Sequence, residues 1–513
     1  MTTNFPKFDR VRPAGYAFLA GQFGLLVLPH WHISEVGGSR HQRIVEPDGR
    51  IRESYPNTYW PGEVRFNHLE FALKYDGVNL EILSEVFSKV KIQELVSWIT
   101  AKPQGQYTRR VWYLYEWITR EQLPIDDLTS GNYIDLLDTE EYYTAQDHRV
   151  SRQRIRDNLL GNSKFCPVIR KTEGMRQFES SDLREQCRKI LAGYPAELLK
   201  RAVSYLYTKE TKSSFAIEHI TPNASRTERF VSLLQIAEKA DFISKNSLID
   251  LQNRIVDLRY ANKDYRDNQN YVGETVTWQQ EKIHFIPPRP HNLDDLMEGL
   301  VLAHQRMDTS QVHPVVHAAV IAFGFVFMHP FDDGNGRIHR FLIHNILARR
   351  GFSPHGLIFP ISAAMLHNMA AYDAALESFS KPLIPLIDYS LDEDGQMKVN
   401  NQTAVHYRYP DMTAIGEALF GFILTTIEKE LVEELNFLKN YDVTKHAIQE
   451  IVDMPDNRID LFIRFCLQNK GVMSPKKRKS HFAELTDEEV LRMQAVIQVA
   501  GKDRINVATA RHE

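Results

Sequence analysis

An unbroken apolar run that ends in a polar, glycine-rich loop constrains the fold of this chain more than any other stretch. Residues 318–328 are apolar at every position. That length suits a buried core helix and is too short to span a bilayer. Beyond the loop, apolar residues from Ile338 to Ile346 recur at helical spacing, and Gly351 provides a stop. The stretch therefore predicts a buried helix, a tight loop and a second helix.

The loop places the backbone amides of Gly334, Asn335 and Gly336 at the predicted start of the second helix. Exposed N–H groups and the positive end of a helix dipole together form a site for an anion. Glycine allows the backbone to approach a phosphate closely, and Asn335 tolerates a left-handed conformation. A phosphate group is therefore the ligand that this loop favours.

The charged side chains around the loop each suit a role on a nucleotide. Asp333 can hold Mg²⁺, which prefers one or two carboxylates together with phosphate oxygens. Arg337 offers phosphate oxygens a planar fork, and Arg340 lies one helical turn further along the same face. His329 can accept a proton near neutral pH. A general base beside a phosphate cradle indicates phosphoryl or nucleotidyl transfer to a hydroxyl.

Residues 329–340 resemble the signature of the Fic family, His-x-Phe-x-(Asp/Glu)-Gly-Asn-Gly-Arg-x-x-Arg, at every fixed position. Fic proteins mostly transfer AMP from ATP to a serine, threonine or tyrosine hydroxyl of a target protein. The resemblance implies that His329 deprotonates that hydroxyl and that Asp333 binds Mg²⁺. It also implies that the three loop amides form the anion hole, that Arg337 steadies the phosphates and that Arg340 contacts the γ-phosphate.

Two further features of the family have counterparts in this chain. Fic proteins carry a β-hairpin flap upstream of the histidine, which aligns the target segment by strand addition. The residues that match its position are Lys282, Ile283, His284 and Phe285. Tyr372 matches one tyrosine of the family's Tyr-Tyr-x-x-Leu helix, whose aromatic rings pack near the adenine, although a core tyrosine is an equally open interpretation.

Fic proteins with an N-terminal brake carry (Ser/Thr)-x-x-x-Glu-(Gly/Asn) on a short inhibitory helix. Ser214 and Glu218 match this motif, whereas His219 departs from it and leaves the end of the helix to the proline that follows. The resemblance implies that Glu218 pairs with Arg340 and blocks the γ-phosphate. A rival carboxylate-glycine ending occurs at Asp76, but it lacks the Ser/Thr position.

Composition limits the classes of partner and compartment. The net charge of −4 predicts no general affinity for nucleic acid or for an anionic membrane. The three cysteines are widely spaced, which excludes a disulfide framework and suits a reducing cytosol. The apolar stretch 14–29 lacks a small-residue cleavage site, so we expect a buried strand or helix edge rather than a leader. These features predict a cytoplasmic protein.

Two clusters of basic residues leave alternatives open. Residues 476–479 fit a nuclear-import signal, but we expect a solvated loop before the next helix. Arg109, Arg110 and Arg120 flank the aromatic cluster 111–118. That arrangement fits stacking on nucleic acid or a buried helix with arginines at its ends, and the negative net charge favours the helix.

A chain of 513 residues predicts several domains. We expect a mainly α fold, with a Fic-type helical core and a short β-hairpin flap, an N-terminal α/β domain and a C-terminal helical extension. The predicted division is 1–145 for the N-terminal domain, 146–190 for a connecting arm, 191–400 for the Fic core and 401–513 for a C-terminal helical module.

Local signals mark several helix ends within these parts. The apolar pattern from Leu69 to Phe87 predicts a helix that breaks near Asp76. Ser225 and Glu228 predict a capping box that opens a helix over 229–240. A second capping box, at residues 486–489, predicts the start of the last helix.

Three functions remain to be weighed. The favoured one is a protein adenylyltransferase that uses ATP and Mg²⁺, modifies a target protein and itself, and is inhibited by Glu218. A second keeps the fold but moves UMP, phosphocholine or phosphate, or removes AMP. A third is a non-catalytic regulator that binds nucleotide. We expect no membrane or nucleic-acid partner, and a homodimer remains open.

Overall fold

Helices dominate the part of the chain that the computed structural model describes, residues 11–277 and 280–509. Side chains are described there except at 276–280 and 500–509. The strands are short and form small sheets, so the predicted mainly α class with a hairpin is confirmed. Within the described residues, every helix is too short or too polar to cross a membrane.

The first segment joins a four-stranded sheet to a layer of helices. Its elements are β1 (Arg12–Pro13), α1 (Gly15–Phe23), β2 (His32–Val36), β3 (Gln42–Val45), β4 (Ile51–Tyr55), α2 (Arg65–Phe71), α3 (Leu80–Phe87), α4 (Ile92–Ala101) and α5 (Gln106–Thr119). The sheet has the order β1-β2-β4-β3, and β2 pairs with β4 in parallel. The stretch 14–29 thus contains helix α1. The predicted break near Asp76 is confirmed, because α2 continues as a π-helix over Ala72–Asp76 and then ends at Gly77, whose φ is 83°.

Helix α5 carries the aromatic cluster and its flanking arginines. Val111 and Trp112 are fully buried. The Arg109 guanidinium donates to the carbonyl oxygens of Gln153 (2.8 Å) and Asn132 (2.9 Å). Arg120 donates to the Ser163 hydroxyl at 3.0 Å. The buried-helix interpretation is therefore confirmed, because all three arginines donate hydrogen bonds within the protein.

The middle segment carries a three-stranded sheet and two helices. Its elements are β5 (Ile134–Asp135), β6 (His148–Val150), β7 (Ile155–Asp157), α6 (Glu173–Ser180) and α7 (Leu183–Ala192). Strand β5 pairs with β7 across residue 145, the proposed end of the first domain. The division into domains stays a prediction.

The next segment carries the predicted flap and the helix–loop–helix. Its elements are α8 (Ala196–Ile217), α9 (Ala224–Gln235), α10 (Lys245–Ile255), β8 (Val272–Thr277), β9 (Gln280–Phe285), α11 (Pro290–Asp308), α12 (Pro314–Met328), α13 (Asn335–Arg349), α14 (Ile361–His367), α15 (Met369–Leu383), β10 (Tyr389–Leu391), β11 (Met397–Val399) and α16 (Ala404–Arg408). Helix α12 is buried at every position from 315 to 325. The predicted buried helix, loop, second helix and hairpin are confirmed.

Helix α8 corrects two predictions about the inhibitory motif and its successor. The motif lies at the end of a helix of 22 residues, not on a short one, because no helix breaker interrupts 196–217. His219 takes a left-handed conformation, with φ of 57°, and so terminates α8 in place of glycine or asparagine. Helix α9 begins earlier than expected because Asn223, rather than Ser225, accepts the capping hydrogen bond, from the amide of Arg226.

The last segment is helical and has its own apolar cluster around Ile459, Phe462 and Met493. Its elements are α17 (Thr413–Thr425), α18 (Leu431–Gln449), α19 (Asp456–Leu467), α20 (Pro475–His481) and α21 (Asp487–Thr509). The predicted capping box before α21 is confirmed, since Thr486 and Glu489 each accept the other's amide hydrogen. The basic cluster 476–479 forms α20, so the prediction of a loop there was wrong.

Candidate active site

His329 ends helix α12 and begins the signature loop, residues 329–334. Its φ is 47°, which turns the chain out of the helix, while its amide still donates to the Phe325 carbonyl at 3.0 Å. Left-handed backbone is uncommon outside glycine and marks positions that the surrounding structure holds in place. The turn thus places the imidazole at the first position of the signature loop.

The hydrogen bonding of the imidazole defines its tautomer. The Nδ1 atom lies 3.2 Å from the Val326 carbonyl oxygen, which can only accept. Nδ1 therefore carries the hydrogen, and the Nε2 lone pair is left for an incoming proton. Loss of hydration in the enclosing loop lowers the pKa of His329 to about 4. The ring is neutral at pH 7, which is the form that a general base requires.

Asn335 fixes the shape of the loop through its side chain. Its amide nitrogen donates to the Phe331 carbonyl (2.7 Å), and its amide oxygen accepts from the Phe331 amide (3.1 Å). Asn335 is itself the first residue of α13, so it does not use the left-handed conformation that it tolerates. That conformation belongs to Gly334, with φ of 90°, where a β-carbon would lie 2.9 Å from Val256.

Arg266 is a site residue that sequence reasoning missed. Its guanidinium donates to the carbonyl oxygens of His329 (2.8 Å), Asn268 (2.7 Å) and Pro288 (2.6 Å). Its backbone amide donates to the Pro330 carbonyl at 2.8 Å. Burial lowers the pKa of Arg266 to about 10. This single side chain fastens the signature loop to the base of the hairpin.

Glu218 reaches the signature helix from the end of α8. One carboxylate oxygen lies 2.6 Å from Arg340 Nη2, and the other lies 2.9 Å from Arg337 Nε. Arg340 also donates to the hydroxyl (2.8 Å) and the carbonyl oxygen (2.7 Å) of Ser214. Both predicted inhibitory residues therefore contact Arg340, and Arg340 is almost fully buried between them.

The same carboxylate lies over the start of α13. A β-carbon added to Gly336 would be 2.5 Å from Glu218 Oε1. The residue must therefore be glycine for the carboxylate to approach so closely. The N-terminus of a helix favours an anion, and Glu218 fills that position here.

Helix α8 contacts α13 through more than one of its turns. Glu210, Ser214 and Glu218 follow one another at intervals of four residues. Glu210 is fully buried and lies 2.7 Å from His344 Nε2, while its second oxygen accepts from the Ser362 amide at 2.9 Å. The four-residue spacing of polar side chains was the sequence signal for this contact. Polar contacts along two helical turns fix the position of Glu218.

Asp333 is half-exposed at the rim of the loop. Its carboxylate accepts from Arg337 (2.7 Å) and from the Gly334 amide (2.7 Å). Throughout 11–277 and 280–509, no group of three or more histidine, cysteine, aspartate or glutamate side chains is arranged to hold a metal. A lone carboxylate is nevertheless the donor set that Mg²⁺ uses when phosphate oxygens complete its coordination.

The predicted flap residues divide between the hairpin surface and the core. Lys282 and His284 are exposed on β9, and both approach Glu274 of β8, at 2.9 and 3.3 Å. Ile283 is partly buried. Phe285 is buried against Phe327, Phe379 and Tyr407, so it anchors the hairpin.

Tyr372 lies beneath the signature helix. Its side chain is buried, its ring stacks on His339 with centroids 6.3 Å apart, and Arg340 contacts its hydroxyl. Burial raises the pKa of the Tyr372 phenol. In this structure the residue supports Arg340 from within the core.

The rival carboxylate has a structural role elsewhere. Asp76 is buried in the first segment, where it accepts from the Tyr16 amide (3.0 Å) and the Ser34 hydroxyl and lies 3.2 Å from His32 Nδ1. The structure brings it to none of the signature residues. Asp76 therefore supports the fold of the first segment, because its loss would leave buried donors unpaired.

The helical segment, the hairpin and the loop together define a helical domain with an anion site beside a histidine. Residues 242–347 match the family model described as Fic/DOC family. These residues therefore form a Fic domain within the chain.

Named relatives resemble parts of this chain. A protein adenylyltransferase Fic of Nematostella vectensis is 28% identical over 247 residues, which cover 42% of this chain and 56% of that protein. A protein adenylyltransferase Fic of Culex quinquefasciatus is 35% identical over 125 residues, 23% of this chain and 22% of that protein. A crystal structure of a Fic family protein from Desulfovibrio desulfuricans G20 aligns with a TM-score of 0.36 and 16% identity, covering 54% of this chain and 80% of that one. The chain spans about half or less of the length of these two adenylyltransferases.

Proposed function

We propose that this protein transfers AMP from ATP to a hydroxyl group of a target protein, and to itself. The observation that carries the proposal is the position of His329, which is neutral with Nε2 free, at the mouth of a loop that leads to helix-terminal amides and two arginines. Relatives of the Fic domain that are named protein adenylyltransferases support the choice of AMP.

The chemistry needs one proton acceptor and one anion cradle. His329 Nε2 takes the proton of the target hydroxyl, whose oxygen then bonds to the α-phosphorus of ATP. The bond from that phosphorus to the bridging β-oxygen breaks, and pyrophosphate leaves with the electron pair. Holding the phosphates against the amides of residues 334–336 and the fork of Arg337 positions the α-phosphorus for this attack.

The residues present fit ATP with Mg²⁺. The Glu218 carboxylate lies beside Gly336, which supports the assignment of an anion to this space. When bound, Mg²⁺ would be held by Asp333 and would neutralise charge on the phosphate oxygens. The half-exposed carboxylate of Asp333 can exchange its contact with Arg337 for such an ion.

We infer that the protein is autoinhibited by Glu218. Its carboxylate binds Arg340 and Arg337, which are the groups that the γ-phosphate and its neighbours would need. ATP would then bind with its phosphates displaced, and small displacements from in-line geometry lower the rate of transfer strongly.

The three cysteines are buried free thiols, which supports a reducing compartment such as the cytoplasm as the place of action.

Labelled nucleotides test the transferred group. Full-length Glu218→Gly protein is incubated with Mg²⁺ and either α-labelled ATP, γ-labelled ATP or α-labelled UTP. We expect protein-bound label from α-labelled ATP alone. Label from γ-labelled ATP would identify phosphate transfer instead, and label from UTP alone would identify UMP transfer. Glu218→Gly/His329→Ala protein is the matched control and should remain unlabelled.

A further inference from the structure

A polar cavity of about 380 Å³ lies between the first and middle segments, outside the Fic domain. Its lining residues fall between positions 31 and 176. The volume is within the range of small-molecule sites. We call it the basic cavity after its cationic lining residues, which are Arg43, Lys74, Arg110, Arg170, Lys171 and Arg176.

Positive charge exceeds negative charge in the basic cavity. The carboxylates among its lining residues are Glu53, Asp138 and Glu141, against the six cations named above. Glu53 is already engaged by His32 (2.7 Å) and His41 (2.6 Å). The remaining carboxylates do not balance the cations, and a concave surface with one dominant sign concentrates counter-ions.

Arg110 is half-buried in this cavity without a carboxylate partner. Its Nε donates to the Asp135 carbonyl at 3.0 Å, and no carboxylate of the described residues lies within 4 Å of the guanidinium. Burial lowers the pKa of Arg110, and the more distant carboxylates of Asp138 and Asp135 offset that effect only in part. A half-buried cation without a carboxylate in direct contact is stabilised when an anion binds beside it.

Arg170 also lines the basic cavity and has an unused hydrogen-bond donor. Its guanidinium stacks on Trp31 at 4.1 Å, which orients it. Its Nε atom is buried and has no hydrogen-bond partner among the described residues, and its ion pair with Asp411 is long, at 3.5 Å. Two oriented guanidinium groups with spare donors thus line one cavity.

We propose that the basic cavity binds a small molecule that carries one or more phosphate groups. Guanidinium forks match phosphate oxygens bidentately, and several cations suit a ligand with more than one negative charge. A single carboxylate would leave most of this charge unmatched. The site is separate from the signature loop, and it does not depend on the proposed adenylyl transfer.

Equilibrium dialysis of the full chain with radiolabelled pyrophosphate tests this inference. Arg110→Gln and Arg170→Gln should each weaken binding by roughly ten- to a hundredfold. The control Arg149→Gln removes an exposed arginine that stacks on Tyr133 outside the cavity, and it should leave binding unchanged. Unchanged binding in both cavity variants, with loss in Arg337→Gln, would place pyrophosphate at the signature loop and overturn the proposal.

Two further experiments test the class of ligand and provide a variant in case the first two do not fold. A hexaglutamate peptide should fail to displace pyrophosphate, and equal displacement would overturn the choice of phosphate. If the half-buried variants do not fold, Arg43→Gln/Lys74→Gln removes two exposed cations at the rim. Weaker binding by this variant supports the cavity, whereas unchanged binding counts against it.

Discussion

Glu218 and Arg340 meet across 2.6 Å although 122 residues separate them in the chain. The contact joins the end of α8 to the second turn of α13, and it holds the carboxylate beside Gly336, where the helix N-terminus favours an anion. Charge-assisted contacts of this kind contribute roughly 1.5–3 kcal/mol each. That is enough for a protein carboxylate to compete with a phosphate group for the same arginines.

His329→Ala in the Glu218→Gly background should lower AMP transfer by ~10²–10⁴-fold, because the proton of the target hydroxyl loses its acceptor. ATP affinity should change little, since other residues hold the phosphates. Initial rates with α-labelled ATP and a separate nucleotide-binding titration measure the two effects. Transfer at the rate of the Glu218→Gly parent would remove His329 from the role of base.

Asp333→Ala in the same background should abolish transfer that depends on Mg²⁺, because the carboxylate that would hold the ion is gone. EDTA should have the same effect on the parent protein, and added Mg²⁺ should restore it. Asp332→Ala, one residue earlier, is the matched control and should respond to Mg²⁺ as the parent does. Activity that survives both EDTA and Asp333→Ala would show that no metal acts at this position.

Arg266→Lys should slow AMP transfer by roughly ten- to a hundredfold in the Glu218→Gly background. A lysine ammonium cannot reach the carbonyls of His329, Asn268 and Pro288 together, so the loop loses its fixed position. The loss should fall on kcat, with ATP affinity unchanged. Arg259→Lys changes an exposed arginine and serves as control. Equal kcat in parent and Arg266→Lys would contradict this role.

His339→Leu should make the protein less sensitive to acid. Burial lowers the pKa of His339 to about 3, so the folded ring stays neutral while the unfolded ring binds a proton below pH ~6.5. The unfolded state thus gains protons as pH falls, and this residue removes about 1.4 kcal/mol of stability per pH unit in that window. Urea unfolding from pH 7 to 4.5 should show a slope shallower by that amount in the variant. The exposed His355→Leu should keep the parent slope, and an equal slope in His339→Leu would refute the assignment.

The sequence predicted the signature loop well because its chemistry is local. His329, the glycines and both arginines lie within twelve residues, so their spacing alone specifies a helix terminus that binds an anion. The hairpin was predictable for the same reason, since strand signals are also short in range. Glu218 was predictable only through its resemblance to the family's inhibitory motif, not from its own neighbours.

Long-range contacts could not be predicted in this way. Arg266 contacts His329 from 63 residues away, and no local pattern shows which carbonyls a buried arginine will meet. The short inhibitory helix was expected from the family's motif, whereas α8 is long and its polar residues Glu210 and Ser214 are satisfied by His344 and Arg340 within the fold. The cap of α9 fell on Asn223 because competing cap residues differ by little in free energy.

The measurement that tests the central claim most directly is AMP incorporated per minute by wild-type, Glu218→Gly and Glu450→Gly protein at equal ATP and Mg²⁺. Glu450 is an exposed carboxylate at the C-terminal cap of α18, so it matches the helix position of Glu218 without contacting the site. We predict that Glu218→Gly raises automodification roughly ten- to a hundredfold, because Arg340 and Arg337 become free for the phosphates. Glu450→Gly should match wild type. Equal rates for wild type and Glu218→Gly would contradict the proposal that Glu218 inhibits AMP transfer.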